Sequence, residues 1–454
     1  MSETASASST ELTTEQVVEL TKQLNYGTWR FQKGWNPVHM ADAEGCYFTD
    51  GHGKRYLDLS SQLMCSNLGH KNRAVIAAIA EQAEKLAFAS PAYATEARAE
   101  LSRTLLEVLP QGLTKFFFAT SGTEANEAAF KIARMVTGKT KIISRYRSYH
   151  GSTMGSIAAT GDLRRWAMEP GGKGHGVVFA PEVNCYKCPI RHTYPGCGIA
   201  CAEYLEHIIR NESDVAAVIV EPVVGTNGVL VPPPEYMPML REICTRNDVL
   251  LIADEVMSGW GRTGEWFAMD HWRVKPDILT TAKGITGAYV PLGLCATTPE
   301  IAAYFDDHYF SHGHTYEAHP ITLLPGVAAI REMQRMGLVE RAKKMGAILE
   351  PKLRALQAKH PSVGDVRGLG LFWALDLVKD RATKEPFNTM RDKVEGKPTV
   401  VDRVAAELMK RGVAIAAWVS HLVVAPPLIV EEADLDFGVE ALDAALAIAD
   451  GEVA

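Results

Sequence analysis

The stretch Val249-Leu250-Leu251-Ile252-Ala253-Asp254 decides how the rest of the chain is read. Five apolar residues run without a break into one carboxylate. A short run rich in leucine and β-branched residues predicts a strand buried on both faces, as in a parallel sheet. A second run, Asp277-Ile278-Leu279-Thr280-Thr281-Ala282, leads into Lys283 and Gly284. In open α/β sheets ligands sit outside the carboxyl ends of the strands. Asp254 and Lys283 both stand at such ends. Taken alone, the two read more simply as a structural ion pair, so the decision rests with the rest of the chain.

Working outward, Lys115-Phe116-Phe117-Phe118-Ala119-Thr120 predicts another strand. It runs into Ser121-Gly122-Thr123-Glu124 and a helical pattern to about Met135. Ser121 and Glu124 fit a capping box. A glycine-bearing turn at a helix N-terminus exposes N–H groups and the positive end of the dipole, which suit a phosphate dianion. A plain cap is the simpler reading of those residues by themselves. Lys141-Ile142-Ile143-Ser144 leads to Tyr149-His150-Gly151, where Tyr149 is either ordinary packing or a face for a flat ring. Val215-Ala216-Ala217-Val218-Ile219-Val220 ends in Glu221-Pro222, a third polar residue at a strand end. A helix over about 236–246 leads back to Asp254. Strands alternating with helices predict an α/β fold with a doubly wound, mainly parallel sheet.

Toward the N-terminus, residues 45–58 read as a hairpin around a glycine-bearing turn, and about 73–86 as a helix. Past Gly313-His314-Thr315-Tyr316-Glu317-Ala318-His319-Pro320, a helical pattern runs to about Met336. From about Val339 a separate α/β unit follows, with strands within 366–377, a helix over 402–411 and a strand over 422–425.

Composition sets the class. The chain has 454 residues, 47% hydrophobic and 22% charged, with a net charge of -7. That is ordinary for a soluble globular enzyme of more than one domain. No basic block favours nucleic acid or an anionic membrane. No apolar run approaches the ~18 residues that suggest a span. The first residues lack the basic region and apolar core of a secretory signal, so the expected location is the cytoplasm. Of eight cysteines, Cys46, Cys65, Cys244 and Cys295 lie singly and read as reduced. The others follow the spacing Cys185-x2-Cys188-x8-Cys197-x3-Cys201, which suits either a structural zinc or a reduced loop. No metal is expected at the strand ends.

Taken in order, Ser121-Gly122-Thr123-Glu124-Ala125-Asn126, Tyr149-His150-Gly151, Glu221-Pro222, Asp254-Glu255-Val256, Gly259-x-Gly261-Arg262-Thr263-Gly264 and Lys283-Gly284 resemble the class III aminotransferases. These form the ω-transaminase branch of the fold type I pyridoxal-phosphate enzymes. The resemblance covers nearly everything after about Asn25. It implies pyridoxal 5'-phosphate as cofactor, held covalently by the Lys283 amine, which can also carry a proton between carbons. It implies Asp254 against the ring nitrogen, Val256 and Tyr149 on the two ring faces, and Ser121, Gly122 and Thr123 on the phosphate. Glu221 would orient the site near Asp254. Thr315 would reach the phosphate of a neighbouring subunit, so a homodimer or dimer of dimers is implied. The polar composition of the N-terminus predicts a disordered tail over 1–25, and the expected division continues with an N-terminal segment of the small domain over 26–75, a large cofactor-binding domain over 76–335 and a C-terminal small domain over 336–454.

The sequence departs from its relatives in two places. Glutamate-using members carry an acid shortly after Glu-Pro, where this chain has Thr226. Many ω-transaminases carry an arginine shortly before Pro-Pro, where this chain has Ala416-Ala417-Trp418-Val419-Ser420-His421. Arg164 and Arg165 are then candidates, by elimination, for binding a substrate carboxylate. The expected reaction moves an amino group from an ω-amino acid or amine to a 2-oxoacid, with pyruvate preferred. The alternatives are a 2-oxoglutarate-dependent ω-amino acid aminotransferase and an aminomutase or racemase of the same fold. A zinc-bearing interaction protein would leave Lys283 without a purpose.

Overall fold

The structure, a computed structural model, describes residues 12–168 and 176–453. At its centre is a seven-stranded sheet in the order Lys115–Ala119, Gly293–Thr297, Ile278–Thr281, Leu250–Asp254, Val215–Val220, Lys141–Arg145 and Val177–Ala180. The neighbours from Ile278–Thr281 outward to Val177–Ala180 pair in parallel. Gly293–Thr297 runs antiparallel to both of its neighbours. The sheet is therefore mainly parallel, as expected for fold type I, with one reversed strand that its apolar sequence does not announce.

Strand periodicity sorts the side chains into two layers. Val218, Val220, Leu251 and Ala253 face a core built with Leu205 and Ile209 of the helix Ala200–Glu212 and Leu240 and Ile243 of the helix Tyr236–Arg246. Ala217, Ile219 and Ile252 face the opposite core, built with Ala129, Ile132 and Ala133 of the helix Gly122–Thr137. Asp254 shares the parity of Ile252, so its carboxylate emerges on the side of Gly122–Thr137. Glu255 has the parity of Leu251 and Ala253 and emerges on the other.

The two ends of the chain meet in a second sheet. The strands Met40–Glu44, Tyr47–Asp50 and Arg55–Asp58 are joined by Val413–Ala414, which pairs in parallel with Leu57 and Asp58. A third sheet orders Val363–Leu369, Phe372–Asp380, His421–Val424 and Ala416–Trp418, with Glu385–Pro386 on the side. One apolar core runs from Leu57 and Leu59 through Leu279 and Leu294 to Leu442 and Leu446, so both ends of the chain share it with the central sheet.

The expectation of a disordered tail over 1–25 needs correction. Residues 1–11 lie outside the described residues, but Thr14–Leu24 is a helix. Thr13 caps it in a reciprocal box with Gln16, and Thr14 Oγ1 donates to the Gly51 carbonyl at 3.0 Å, tying it to the hairpin. Local capping and one long-range anchor outweigh the polar composition on which the expectation rested.

Candidate active site

The strands Lys115–Ala119, Lys141–Arg145, Val215–Val220, Leu250–Asp254 and Ile278–Thr281 each lead to residues gathered at one edge of the sheet. There, Ser121, Gly122, Thr123, Tyr149, Glu221, Asp254, Val256 and Lys283 all line a single cavity of about 540 Å³. These are eight of the nine residues singled out from sequence. The ninth, Thr315, is exposed and outside that lining.

Lys283 directly follows the strand Ile278–Thr281 and Ala282, and its backbone is left-handed, with φ +49°. For a residue with a Cβ that conformation is uncommon and costs energy, which the surrounding packing must offset. Among the described residues its Nζ makes no hydrogen bond or ion pair. Burial holds the amine below the ordinary lysine range, only partly opposed by Cys65, Asp254 and Glu221. A buried, unpartnered amine of lowered basicity suits a nucleophile better than a structural cation. The ion-pair reading of Asp254 and Lys283 therefore fails on geometry.

Asp254 is held by donors alone. Its Oδ2 accepts from Asn126 Nδ2 at 2.9 Å and from His150 Nδ1 at 2.7 Å, and its Oδ1 accepts from the Val256 N–H at 3.1 Å. Asn126 is fixed in turn, with Nδ2 also donating to the His150 carbonyl and Oδ1 accepting from Thr280 Oγ1 at 2.6 Å. The buried carboxylate is thus oriented while each oxygen keeps acceptor capacity. Glu221 accepts from the Tyr149 and Gly225 N–H groups at 2.9 and 2.8 Å. Burial raises its pKa, with the Asp254 charge adding and His150 opposing. Glu255, one residue from Asp254, accepts from Ser258 Oγ and the Met269 N–H instead and is pushed up to about 7 by burial.

At the other end of the cavity the helix Gly122–Thr137 begins. Ser121 Oγ accepts from the Glu124 N–H at 3.4 Å, which leaves the first N–H groups, at Gly122 and Thr123, for a ligand. The returning arm of the expected capping box reaches one residue further back, where Glu124 Oε2 accepts from the Thr120 N–H at 2.8 Å. Gly122 is required here because an ideal Cβ would lie 2.7 Å from Val256 Cγ2. A free amine, an oriented carboxylate, a helix N-terminus and the Tyr149 and Val256 side chains fit a flat, phosphate-bearing ring with a carbonyl and a ring nitrogen.

Sequence reasoning missed Asn126 and His150 as functional residues. Both stand in the quoted motifs, but their contact with Asp254 needs the three-dimensional meeting of helix, loop and strand. The Thr226 departure is also visible here. His421 Nε2 donates to the Thr226 carbonyl at 2.7 Å, and Trp418 Nε1 donates to Asn227 Oδ1 at 3.2 Å. Burial pushes His421 down to about 4, so it is neutral near pH 7. Residues 226–227 and 418–421 therefore meet through neutral groups. Arg164 is buried against Tyr149, whereas Arg165 donates from Nε to the Thr160 carbonyl at 2.9 Å and lies over Phe179 at 4.2 Å. No group of three or more metal-ligating side chains among the described residues is placed to hold an ion, the four clustered cysteines included.

Comparison with known proteins agrees with this geometry. The Aminotransferase class-III family profile matches residues 31–446. The taurine–pyruvate aminotransferase of Bilophila wadsworthia is 34% identical over 449 residues, covering 95% of this chain and 96% of that protein. A leucine/methionine racemase of Thermococcus litoralis is 34% identical over 416 residues, covering 90% and 91%. Among solved structures, the taurine:2-oxoglutarate aminotransferase of Bifidobacterium kashiwanohense, in complex with PLP and glutamate, superposes with a TM-score of 0.93 at 38% identity, covering 98% of this chain and all of that one.

Proposed function

Because the chain belongs to the class III aminotransferases, whose cofactor is pyridoxal 5'-phosphate, we propose that Lys283 and Asp254 are its catalytic pair and that it moves an amino group from an ω-amino acid or amine to pyruvate. The observation that carries the reading is the unpartnered, buried Lys283 amine sharing one cavity with a carboxylate held only by donors. When bound, the cofactor supplies an electron sink for negative charge at the reacting carbon. Lys283 would then act as nucleophile and proton carrier, and burial, by lowering its basicity, makes its lone pair more available than that of an exposed lysine. Asp254 would hold a proton on the ring nitrogen by opposing its charge. The N–H groups at 122 and 123 and the Ser121 and Thr123 side chains would hold the phosphate. Tyr149 and Val256 would flank the ring, and Glu221 fixes the Tyr149 loop.

A homodimer belongs to the same reading. Thr315 is exposed on its loop, where it is available to a second copy's phosphate site. Thr315→Ala should lose cofactor more readily on dilution, and a fully active monomer in sedimentation would contradict the shared site. A cytoplasmic location is proposed with it. Among the described residues, no helix is long and apolar enough to cross a membrane.

Pyruvate is favoured because it brings one carboxylate, whereas 2-oxoglutarate brings a second that must be desolvated without a partner. Among the residues lining the cavity, the one lysine or arginine is Lys283. The test is kcat/KM for each oxoacid with a common donor, and a larger value for 2-oxoglutarate overturns the assignment. That second reading draws support from the neighbour that acts on taurine and 2-oxoglutarate. The related racemase favours a third, which predicts inversion of a chiral amino acid with no oxoacid consumed.

A further inference from the structure

Resting on the aminotransferase reading, we propose that Arg164 binds the anionic group of the substrate, a single carboxylate or sulfonate, through its Nη1. Asp162 caps a short 3-10 turn, Leu163–Arg165, by accepting from the Arg164 N–H at 2.9 Å. The Arg164 side chain then folds back on the same carboxylate. Its Nε donates to Oδ1 at 3.1 Å and to Oδ2 at 2.9 Å, and Nη2 also donates to Oδ2. Asn227 Nδ2 donates to Asp162 Oδ2 at 2.9 Å and locks the carboxylate from the far side. The guanidinium lies 3.8 Å from the centre of the Tyr149 ring and 4.8 Å from that of Trp418, with Trp29 at 5.7 Å.

This clamp holds a nearly buried cation in one orientation, with 4% of its side-chain surface exposed, against a fully buried Asp162. A self-sufficient buried pair would use every donor. Here Nη1 has no partner among the described residues, so two N–H groups of a fixed guanidinium remain. Tyr149, on which the guanidinium stacks, itself lines the cavity of Lys283, and the Arg164 charge bears on the Lys283 amine. Trp418, on the other side, belongs to the stretch where an arginine is absent from this chain. The cation comes from the 162–165 turn instead.

The other arginines nearby do not stack on a residue that lines the cavity, although Arg367 too leaves one buried nitrogen, Nη2, without a partner among the described residues. Arg367 pairs with Asp365 and Asp376, and Arg147 donates to the Asn227 carbonyl at 2.6 Å. With one open nitrogen, Arg164 satisfies one oxyanion per substrate. That selects primary amines carrying one carboxylate or sulfonate, and it leaves the second carboxylate of a dicarboxylic oxoacid unpaired.

The test uses the holoenzyme with pyruvate as acceptor and three donors of similar length: β-alanine, taurine and n-propylamine. Arg164→Met leaves Asp162 buried and unpaired, so Asp162→Asn with Arg164→Met is made beside it, which removes both charges and keeps an acceptor for Asn227. Both variants should lose roughly 10- to 100-fold in kcat/KM for the charged donors, chiefly through KM, the size of a lost charge-assisted hydrogen bond. n-Propylamine should change little. A loss on one charged donor alone assigns the site to carboxylate or to sulfonate. Equal loss on all three donors, or no loss on the charged ones in the double variant, overturns the proposal. Titration calorimetry with inert propionate and ethanesulfonate gives a readout independent of turnover, with binding expected in the wild type and absent in the double variant. A wild type that binds these anions but transaminates no donor contradicts the aminotransferase reading while leaving Arg164 as the anion site. A wild type that binds neither anion contradicts the Arg164 proposal itself.

Discussion

The cavity around Lys283 and the small one among Cys185, Cys188, Cys197 and Cys201 are built in opposite ways. The first encloses about 540 Å³ and draws its wall from the ends of several strands and the start of a helix. The second, about 20 Å³, takes most of its wall from the single segment 182–201. In the first, an acid is oriented by three donors while an amine is left with none. In the second, burial pushes the Cys201 thiol up to about 11, and the neighbouring backbone is tied outward. Lys187 Nζ donates to the Lys384 carbonyl at 3.0 Å, and Lys384 Nζ donates to the Tyr186 carbonyl. A site with chemistry holds reactive groups in unequal states, whereas this cysteine segment is tied to the turn at Lys384.

That contrast breaks first at Lys283. Lys283→Ala should lose roughly 10³-fold or more in turnover, since both the nucleophile and the proton carrier go. Steady-state rates of the cofactor-loaded variant check this. Asp254→Asn comes next, with an expected loss of about 10²- to 10³-fold in kcat and little change in melting temperature. The amide keeps the shape but cannot oppose a positive charge on the ring nitrogen. Near-normal turnover in this variant would move the role elsewhere.

The neighbouring carboxylate sharpens the comparison through stability. Glu255 is fully buried on the opposite face from Asp254, and its folded pKa of about 7 lies above the ordinary 4.5. The folded state therefore holds this proton more tightly than the unfolded chain. The stabilisation is complete below about pH 4.5 and is lost as pH rises through about 7. Glu255→Gln keeps an acceptor and never ionises. Relative to the wild type it should gain up to about 3 kcal/mol between pH 5 and 9, read from denaturant melts at each pH. A constant difference across that range would contradict the assignment. The smallest effects belong to the cysteine segment. Cys185→Ser and Cys197→Ser should leave activity within about twofold, as surface-proximal changes away from the chemistry do. Purified protein should carry well under one zinc per chain by metal analysis.

Much of this was legible in the chain because strand ends are legible. An apolar run that stops at Asp254, Glu221 or Lys283 marks both the sheet and the edge where ligands bind. Four features were not. Asn126 lies one turn inside its helix, and nothing local says that this turn passes beneath the end of the strand Leu250–Asp254. The strand Gly293–Thr297 reads like its parallel neighbours, since pairing direction is set by the connection and not by composition. Arg164 was reachable only by elimination, because a basic residue after Asp-Leu reads as surface until the fold buries it against Tyr149. The helix Thr14–Leu24 was hidden by polar composition, although Thr13 and Gln16 already spell its cap.

The central claim is that the Lys283 amine is the point of covalent attachment for the cofactor. Sodium borohydride added to the holoenzyme should abolish its visible absorption band and fix the cofactor to the chain. After proteolysis, mass spectrometry should find the added mass on the peptide containing Lys283, with the side chain itself as the modified site. The same mass on any other lysine, with the Lys283 peptide unmodified, would contradict the account.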